Sequence, residues 1–278
     1  IRVLHNLSFV EDPTRAFRAV RFESRLGFKI SKMTAGLLEG AVKNNFLTNL
    51  DRRRLSHELE LILSEDDPGP ALKRLGEFNL LPYIHPKLAL TPQHHRLFTR
   101  VRQVRDWLAL TFPDKMGLAW FVYLMALTDR LRPSELAELA AGLGLKKKEA
   151  QVLTAERPAA DGLVTRHKKT VRLSPSQAYG LFSGLSWPAL LFVMAKTENQ
   201  ALAQSGAAFL TTYRHQRPLL TGRDILALGC PSGPRVKELL DRLRLARLDG
   251  LAATRAEELE LAGRLLAETG PGRAAGAD

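Results

Sequence analysis

Residues 8–28 read SFVEDPTRAFRAVRFESRLGF, and this stretch decides the fold class. Asp12 can cap a helix, Pro13 suits the first helical position, the run from Thr14 to Leu26 holds no breaker, and Gly27 stops it. Asp12, Arg15, Arg18 and Arg21 are each three residues apart. On a helix of about 3.6 residues per turn they form a slowly rotating polar stripe beside Phe17 and Val20. The apolar side anchors such a helix, while the stripe offers a carboxylate one turn from a guanidinium fork, with two more cations beyond.

The same helical period governs the chain outward from this stretch, and several alternating strand-like segments bounded by hairpin turns are nowhere found. Further helices are predicted over 32–44, 51–64, 70–78, 92–111, 114–128, 134–143, 146–156, 174–182, 187–216, 222–228, 234–243 and 254–268. The chain therefore reads as all-α. The stretch Arg157 to Leu173, RPAADGLVTRHKKTVRL, lacks a clean period and is the best candidate for a subdomain boundary, and residues 270–278 read as a disordered tail. No repeat of fixed length is evident, which disfavours a repeat solenoid.

With 278 residues, 45% of them hydrophobic and 25% charged, the chain can bury a sizeable core and falls in the ordinary range for soluble globular proteins. No apolar run approaches the roughly 20 residues that a spanning helix needs, so no membrane partner is expected. A lone cysteine, Cys230, excludes an intrachain disulfide framework and a cysteine-rich zinc site, and makes the cytoplasm the default location. The 41 Lys and Arg against 29 Asp and Glu leave a net charge of +12, the footprint of a protein that meets polyphosphate. The sequence begins at Ile1 without a signal peptide, and the apolar, extended-looking Ile1 to Leu4 reads as the continuation of an element that starts upstream.

A carboxylate and a guanidinium one turn apart can read a nucleobase edge. Adenine and cytosine present an amino donor next to an unprotonated ring nitrogen, so Asp12 can accept from the amine while Arg15 donates to the ring. Guanine and uracil present the opposite order and are rejected by repulsion as well as by lost bonding. Arg18 and Arg21 would then be free to hold a triphosphate.

Residues 1–30, IRVLHNLSFVEDPTRAFRAVRFESRLGFKI, resemble the junction of the third and fourth signature motifs of class II tRNA nucleotidyltransferases, a family of CCA-adding enzymes, A-adding enzymes and poly(A) polymerases. The family pattern Glu-Asp-x-x-Arg followed by Arg-Ala-x-Arg-Phe is matched by Glu11, Asp12, Arg15, Arg18, Ala19, Arg21 and Phe22. The resemblance implies that Asp12 and Arg15 act as a protein template for the incoming base and that Arg18 and Arg21 bind the nucleotide; Glu11 is read as supporting the helix end. RLSHEL at 54–59 is similar to the fifth motif, which implies that Arg54 and Glu58 brace the base-reading helix. LTGRDILALGCPSGPRVKELL at 220–240, followed by ARLDG at 246–250, resembles the helical body pattern, with Ser232 and Ile225 as departures.

On this resemblance the expected fold is an elongated array of neck, body and tail helices. Residues 1–64 are expected to form the neck with its nucleotide and RNA motifs, 65–160 the body, and 161–269 the body and tail. No Asp-x-Asp occurs in the sequence, so the metal-binding carboxylates of the family's catalytic head are absent and this chain alone is not expected to catalyse transfer. The implied parent enzyme adds AMP, with or without CMP, to an RNA 3′ end. It would use ATP or CTP as substrate, magnesium held by the head, and the tRNA acceptor end or another RNA 3′ end as partner. HNLSFVEDPTR looks most like the A-adding branch. A rival expectation is a non-catalytic helical module that binds RNA and a helicase, as the poly(A) polymerase branch implies.

Plainer readings of the same residues stand beside these. Ser8 with Glu11 can form a capping box, and Arg54 with Glu58, one turn apart, can be a surface ion pair. Lys146 to Lys148 and Arg166 to Arg172 can touch RNA phosphates or simply be solvated. His94 with His95 lacks a third ligand at metal spacing, Cys230 reads as an inert loop residue, and Trp107, Phe112, Trp120, Phe121 and Tyr123 read as core.

Overall fold

The helix stop at Gly27 is met where the sequence places it, whereas the start falls one residue later than expected, with Pro13 at the cap position and Thr14 as the first helical residue. Helix α1 is the single turn Ser8–Glu11, and α2 runs Thr14–Leu26 before Gly27 leaves it at φ +63°. The computed structural model describes residues 1–268. The Asn49 side chain and residues 269–278, where a disordered tail was expected, lie outside the described residues. The remaining helices are α3 (Lys32–Lys43), α4 (Arg52–Leu63), α5 (Gly69–Glu77), α6 (Leu81–Ile84), α7 (Pro92–Thr111), α8 (Ala119–Leu127), α9 (Pro133–Gly142), α10 (Lys147–Gln151) and α11 (Arg157–Arg166). They continue as α12 (Pro175–Phe182), α13 (Trp187–Lys196), α14 (Gln200–Thr211), α15 (Gly222–Ala227), α16 (Pro234–Leu248) and α17 (Arg255–Glu268). With 71% of the described residues helical and no strand among them, the protein is all-α.

Two compact units divide the described residues: 1–168 with 185–198, and 169–184 with the residues from 199 onward. In the first, α8 (AWFVYLMAL) and α13 (WPALLFVMAK) are apolar almost all round and buried, so they form its centre against α7, with α4 on α8 and α11 on α13. Helix α2 lays Ala16, Phe17 and Val20 into this core and packs on α4 and α5, which contribute Leu55, Leu59, Leu72 and Leu75. Asp51 caps α4 by accepting from the amides of Arg53 at 2.9 Å and Arg54 at 3.2 Å, which fixes where α4 starts and which of its residues face α2. In the second unit, Leu220, Ile225, Cys230, Leu239, Leu243, Ala262 and Leu265 form one cluster, and Phe182 meets Phe209 at 5.9 Å. Cys230 is buried in that cluster.

Three sequence expectations are corrected. The stretch from Arg157, which contains the boundary between the two units after Lys168, is nevertheless helix as far as Arg166, because a π-turn over Val152–Glu156 precedes Pro158 and absorbs the register change that a proline without an N–H imposes. The helix expected over 187–216 is two, since Thr197 is extended and the Asn199 side chain caps α14 by accepting from Ala201 N at 3.0 Å. Of the aromatics read as core, Trp107, Phe112 and Trp120 are only half-buried, and Phe112 packs edge to face on Trp107 at 5.8 Å and on Trp187 at 5.1 Å at the margin of the core. Among the described residues no single helix is long and apolar enough to cross a membrane.

Candidate functional site

The first turn of α2 brings Asp12 and Arg15 together. Asp12 Oδ1 accepts from Thr14 N at 3.2 Å and from Thr14 Oγ1 at 2.5 Å, while Oδ2 accepts from Arg54 Nη2 at 2.6 Å. Arg15 Nε lies 3.5 Å from the same Oδ2. Partial burial pushes the Asp12 carboxyl up. The bonds from Thr14 and Arg54, with the Arg54 charge, outweigh that and hold it below the usual carboxylate value, so it is an anion at neutral pH. Its side chain is 13% exposed.

Arg15 is anchored on the turn before it. Its Nη1 donates to Ser8 Oγ at 2.9 Å and to the Ser8 carbonyl at 3.3 Å, and Nη2 has no hydrogen-bond partner among the described residues. The capping box expected from Ser8 and Glu11 does not form, because the Ser8 hydroxyl serves Arg15. Glu11 is exposed, with Oε2 3.3 Å from His5 Nε2 and 3.8 Å from Arg15 Nη1.

Arg18 and Arg21 converge on one carboxylate of α4. Arg18 Nε donates to Glu58 Oε1 at 3.0 Å and Arg21 Nε to Glu58 Oε2 at 2.9 Å. The two arginines differ in what remains available. Arg18 is 52% exposed, whereas the Arg21 side chain is 7% exposed, with its guanidinium over the Phe22 ring at 4.6 Å. Arg21 therefore departs from the expectation of a free cation: burial and Glu58 commit it to joining α2 with α4. Arg54 and Glu58 reach across to α2, and no ion pair joins them to each other among the described residues.

Beside Arg15 and Arg18 lies an open groove of about 360 Å³, with those two arginines, Ser8 and Phe22 on one side and residues 1–5 on the other; Asp12 and Arg21 are not part of its lining. That volume falls within the roughly 300–1,000 Å³ of small-molecule sites. Residues 1–5 are held there by Ser31 N donating to the Ile1 carbonyl at 3.0 Å and Val3 N donating to Thr34 Oγ1 at 3.2 Å. Sequence reasoning missed Ser8 and Thr14 as polar partners of this site. The available signal was a hydroxyl two residues after the Asp at a helix start, a pattern of local side-chain turns. Away from the groove, Lys146, Lys147 and Lys148 are exposed, and the run from Arg166 to Arg172 crosses from the first unit to the second.

The comparisons with known proteins bear on this arrangement. Residues 27–91, from the end of α2 through α6, match the family described as "Probable RNA and SrmB- binding site of polymerase A". The A-adding tRNA nucleotidyltransferase of Geobacter sulfurreducens is 40% identical over 270 residues, covering 95% of this chain and 31% of the relative. The CCA-adding enzyme of Thermotoga maritima, solved in complex with tRNA, is 26% identical with a TM-score of 0.79, covering 94% of this chain and 63% of that one. A CCA-adding enzyme solved with ATP is 26% identical with a TM-score of 0.78, covering 96% and 63%. The fold is thus shared with the all-helical portion of these solved proteins. The chain is similar over nearly all its length to A-adding and CCA-adding tRNA nucleotidyltransferases, and it spans about a third of the Geobacter relative and about three-fifths of the solved ones.

Proposed function

We propose that this chain is the nucleotide-selecting and RNA-gripping portion of an A-adding tRNA nucleotidyltransferase, with residues 1–64 as the base-reading neck. The observation that carries the reading is Asp12 beside Arg15, Oδ2 to Nε 3.5 Å, with one acceptor site on the carboxylate and the Nη2 donors of Arg15 unclaimed. Asp12 Oδ2 accepts from the adenine amino group while Arg15 Nη2 donates to the adjacent ring nitrogen. Arg18 takes the phosphates, held at the groove by Glu58. Arg21 acts through Glu58, keeping the helix in place. ATP, or CTP in a CCA-adding enzyme, is then the substrate, and magnesium belongs to a catalytic head of the family kind. The tRNA acceptor end is gripped by shape and phosphate contact, for which the net charge of +12 gives support.

The test is extension of a tRNA ending at its discriminator nucleotide, or carrying one or two added cytidines, with each nucleotide supplied separately to the polypeptide that joins this chain to such a head. AMP addition confined to the end with two cytidines identifies the A-adding type, and CMP addition the CCA-adding type. Asp12→Ala with Arg15→Ala should abolish the preference for ATP; an unchanged preference overturns the reading. The second reading, a non-catalytic module that binds RNA and a helicase, takes support from the match over residues 27–91. It predicts RNA binding that is indifferent to Asp12 and Arg15.

A further inference from the structure

Helix geometry alone leaves the base-reading edge undetermined. The χ2 torsion of aspartate is a broad, roughly two-fold rotor, so the backbone of α2 does not decide which oxygen of Asp12 meets Arg15. Thr14 decides it. Its amide and hydroxyl both bond Oδ1, at 3.2 and 2.5 Å, and Arg54 bonds Oδ2 at 2.6 Å. Of the roughly four acceptor positions on a carboxylate, the one left lies on Oδ2, the oxygen 3.5 Å from Arg15 Nε.

Ser8 performs the matching task on the guanidinium. Its hydroxyl and carbonyl occupy Nη1 at 2.9 and 3.3 Å, leaving Nη2 as the open donor group. Both hydroxyl residues are buried, 5% exposed at Ser8 and 4% at Thr14, so water does not compete for these bonds. A threonine amide at this spacing is an ordinary partner of an aspartate at a helix start. The hydroxyl is the added part, and a valine would remove it while keeping the shape.

We infer that Thr14 and Ser8 are positioning residues for nucleotide selection, Thr14 aligning the acceptor and Ser8 the donor of the base-reading edge, an inference that rests on the assignment of that edge to Asp12 and Arg15. Loss of either hydroxyl lets the edge rotate. The penalty then falls on discrimination between nucleotides, because adenine loses its aligned partner while guanine, previously rejected, meets a less rigid opponent.

The experiment measures kcat and KM for ATP and GTP on one RNA end, in the full-length polypeptide and its Thr14→Val, Thr14→Ser and Ser8→Ala variants. Thr14→Val should lower the ATP-over-GTP ratio of kcat/KM about tenfold, chiefly through a higher KM for ATP, the size expected for one charge-assisted hydrogen bond. Thr14→Ser should recover the ratio to within about threefold, since it restores the donor. Ser8→Ala should shift the ratio in the same direction by a smaller factor, and provides the test should Thr14→Val fold poorly. If Thr14→Val and Ser8→Ala depress both nucleotides equally and leave the ratio unchanged, the hydroxyls only pack the helix start and the inference is overturned. Asp12→Ala separates the two levels. Lost ATP preference there, with intact preference in the hydroxyl variants, sinks the positioning role alone, whereas intact preference in Asp12→Ala sinks the base-reading assignment itself.

Discussion

Glu58 of α4 and Glu258 of α17 are both buried carboxylates on helices, and they hold different things. Glu258 gives Oε2 to the backbone amides of Leu219 and Leu220, at 2.7 and 2.8 Å, and sets Oε1 3.3 Å from Arg247. It thereby satisfies main-chain donors in the segment that leads into α15, where an unmet amide would be costly. Glu58 spends both oxygens on side chains, one on Arg21 in the interior and one on Arg18 at the edge of the groove. The contrast shows that a buried charge does not by itself mark a site. What matters is whether its partner is the scaffold or a group that still has hydrogen-bonding capacity facing open space.

Removing each carboxylate separates scaffold support from site support. Glu258→Ala orphans two amides and an arginine at a position with 0% exposure, so the second unit should lose about 4 kcal/mol of stability, read by urea unfolding. Nucleotide preference should not change. Glu58→Ala orphans only Arg21 in the interior, since Arg18 can turn to water, so the loss should be about 3 kcal/mol. Here the KM for ATP should rise as well, because Arg18 loses its anchor. Equal effects of the two substitutions on stability with no effect of Glu58→Ala on KM would remove the distinction.

Much of the first region was legible because its signals are local. Asp12, Pro13 and Gly27 punctuate one helix, and the three arginines repeat at helical spacing along it. The all-α class followed from the same period carried along the chain. The parts that sequence did not yield depend on three-dimensional partners. Arg54 and Glu58, one turn apart, fit a surface pair as well as two separate struts, and only the packing of α2 on α4 decides between them. Arg21 repeats like Arg15 and Arg18, yet the rotation of the stripe carries it inward. Pro158 and Thr197 misled in opposite senses, one tolerated by a π-turn and the other ending a helix whose apolar pattern runs on past it.

Arg54→Ala should have a smaller effect, about 1 kcal/mol, because that arginine is half exposed and solvent screens its pairing. The pH dependence follows from Asp12, whose pKa lies below its ordinary 3.8. A depressed carboxylate contributes stability that is present above its unfolded value and is lost as pH falls through the folded one. Removing Arg54 lets the folded value climb back, so the deficit of the variant should be full at neutral pH and shrink once the pH drops below 3.8. Melting temperatures of both proteins across the acid range check this, and a deficit independent of pH would mean that Arg54 acts through packing alone.

The smallest effect belongs to a pair with the same chemistry and neither burial nor a groove. Arg102 Nη1 donates to Asp67 Oδ2 at 2.8 Å, and both side chains are exposed. Such a pair gains little over hydration and is screened by salt, so Arg102→Ala should change stability by less than about 0.5 kcal/mol and leave nucleotide preference unaltered. Its distance is no longer than that of Arg21 to Glu58, and so the comparison isolates the surroundings of the pair from its geometry. If Arg102→Ala proved as damaging as Glu58→Ala, burial would not be what separates the structural carboxylates from the surface ones. The ranking of all four substitutions would then have to be rebuilt from distance alone.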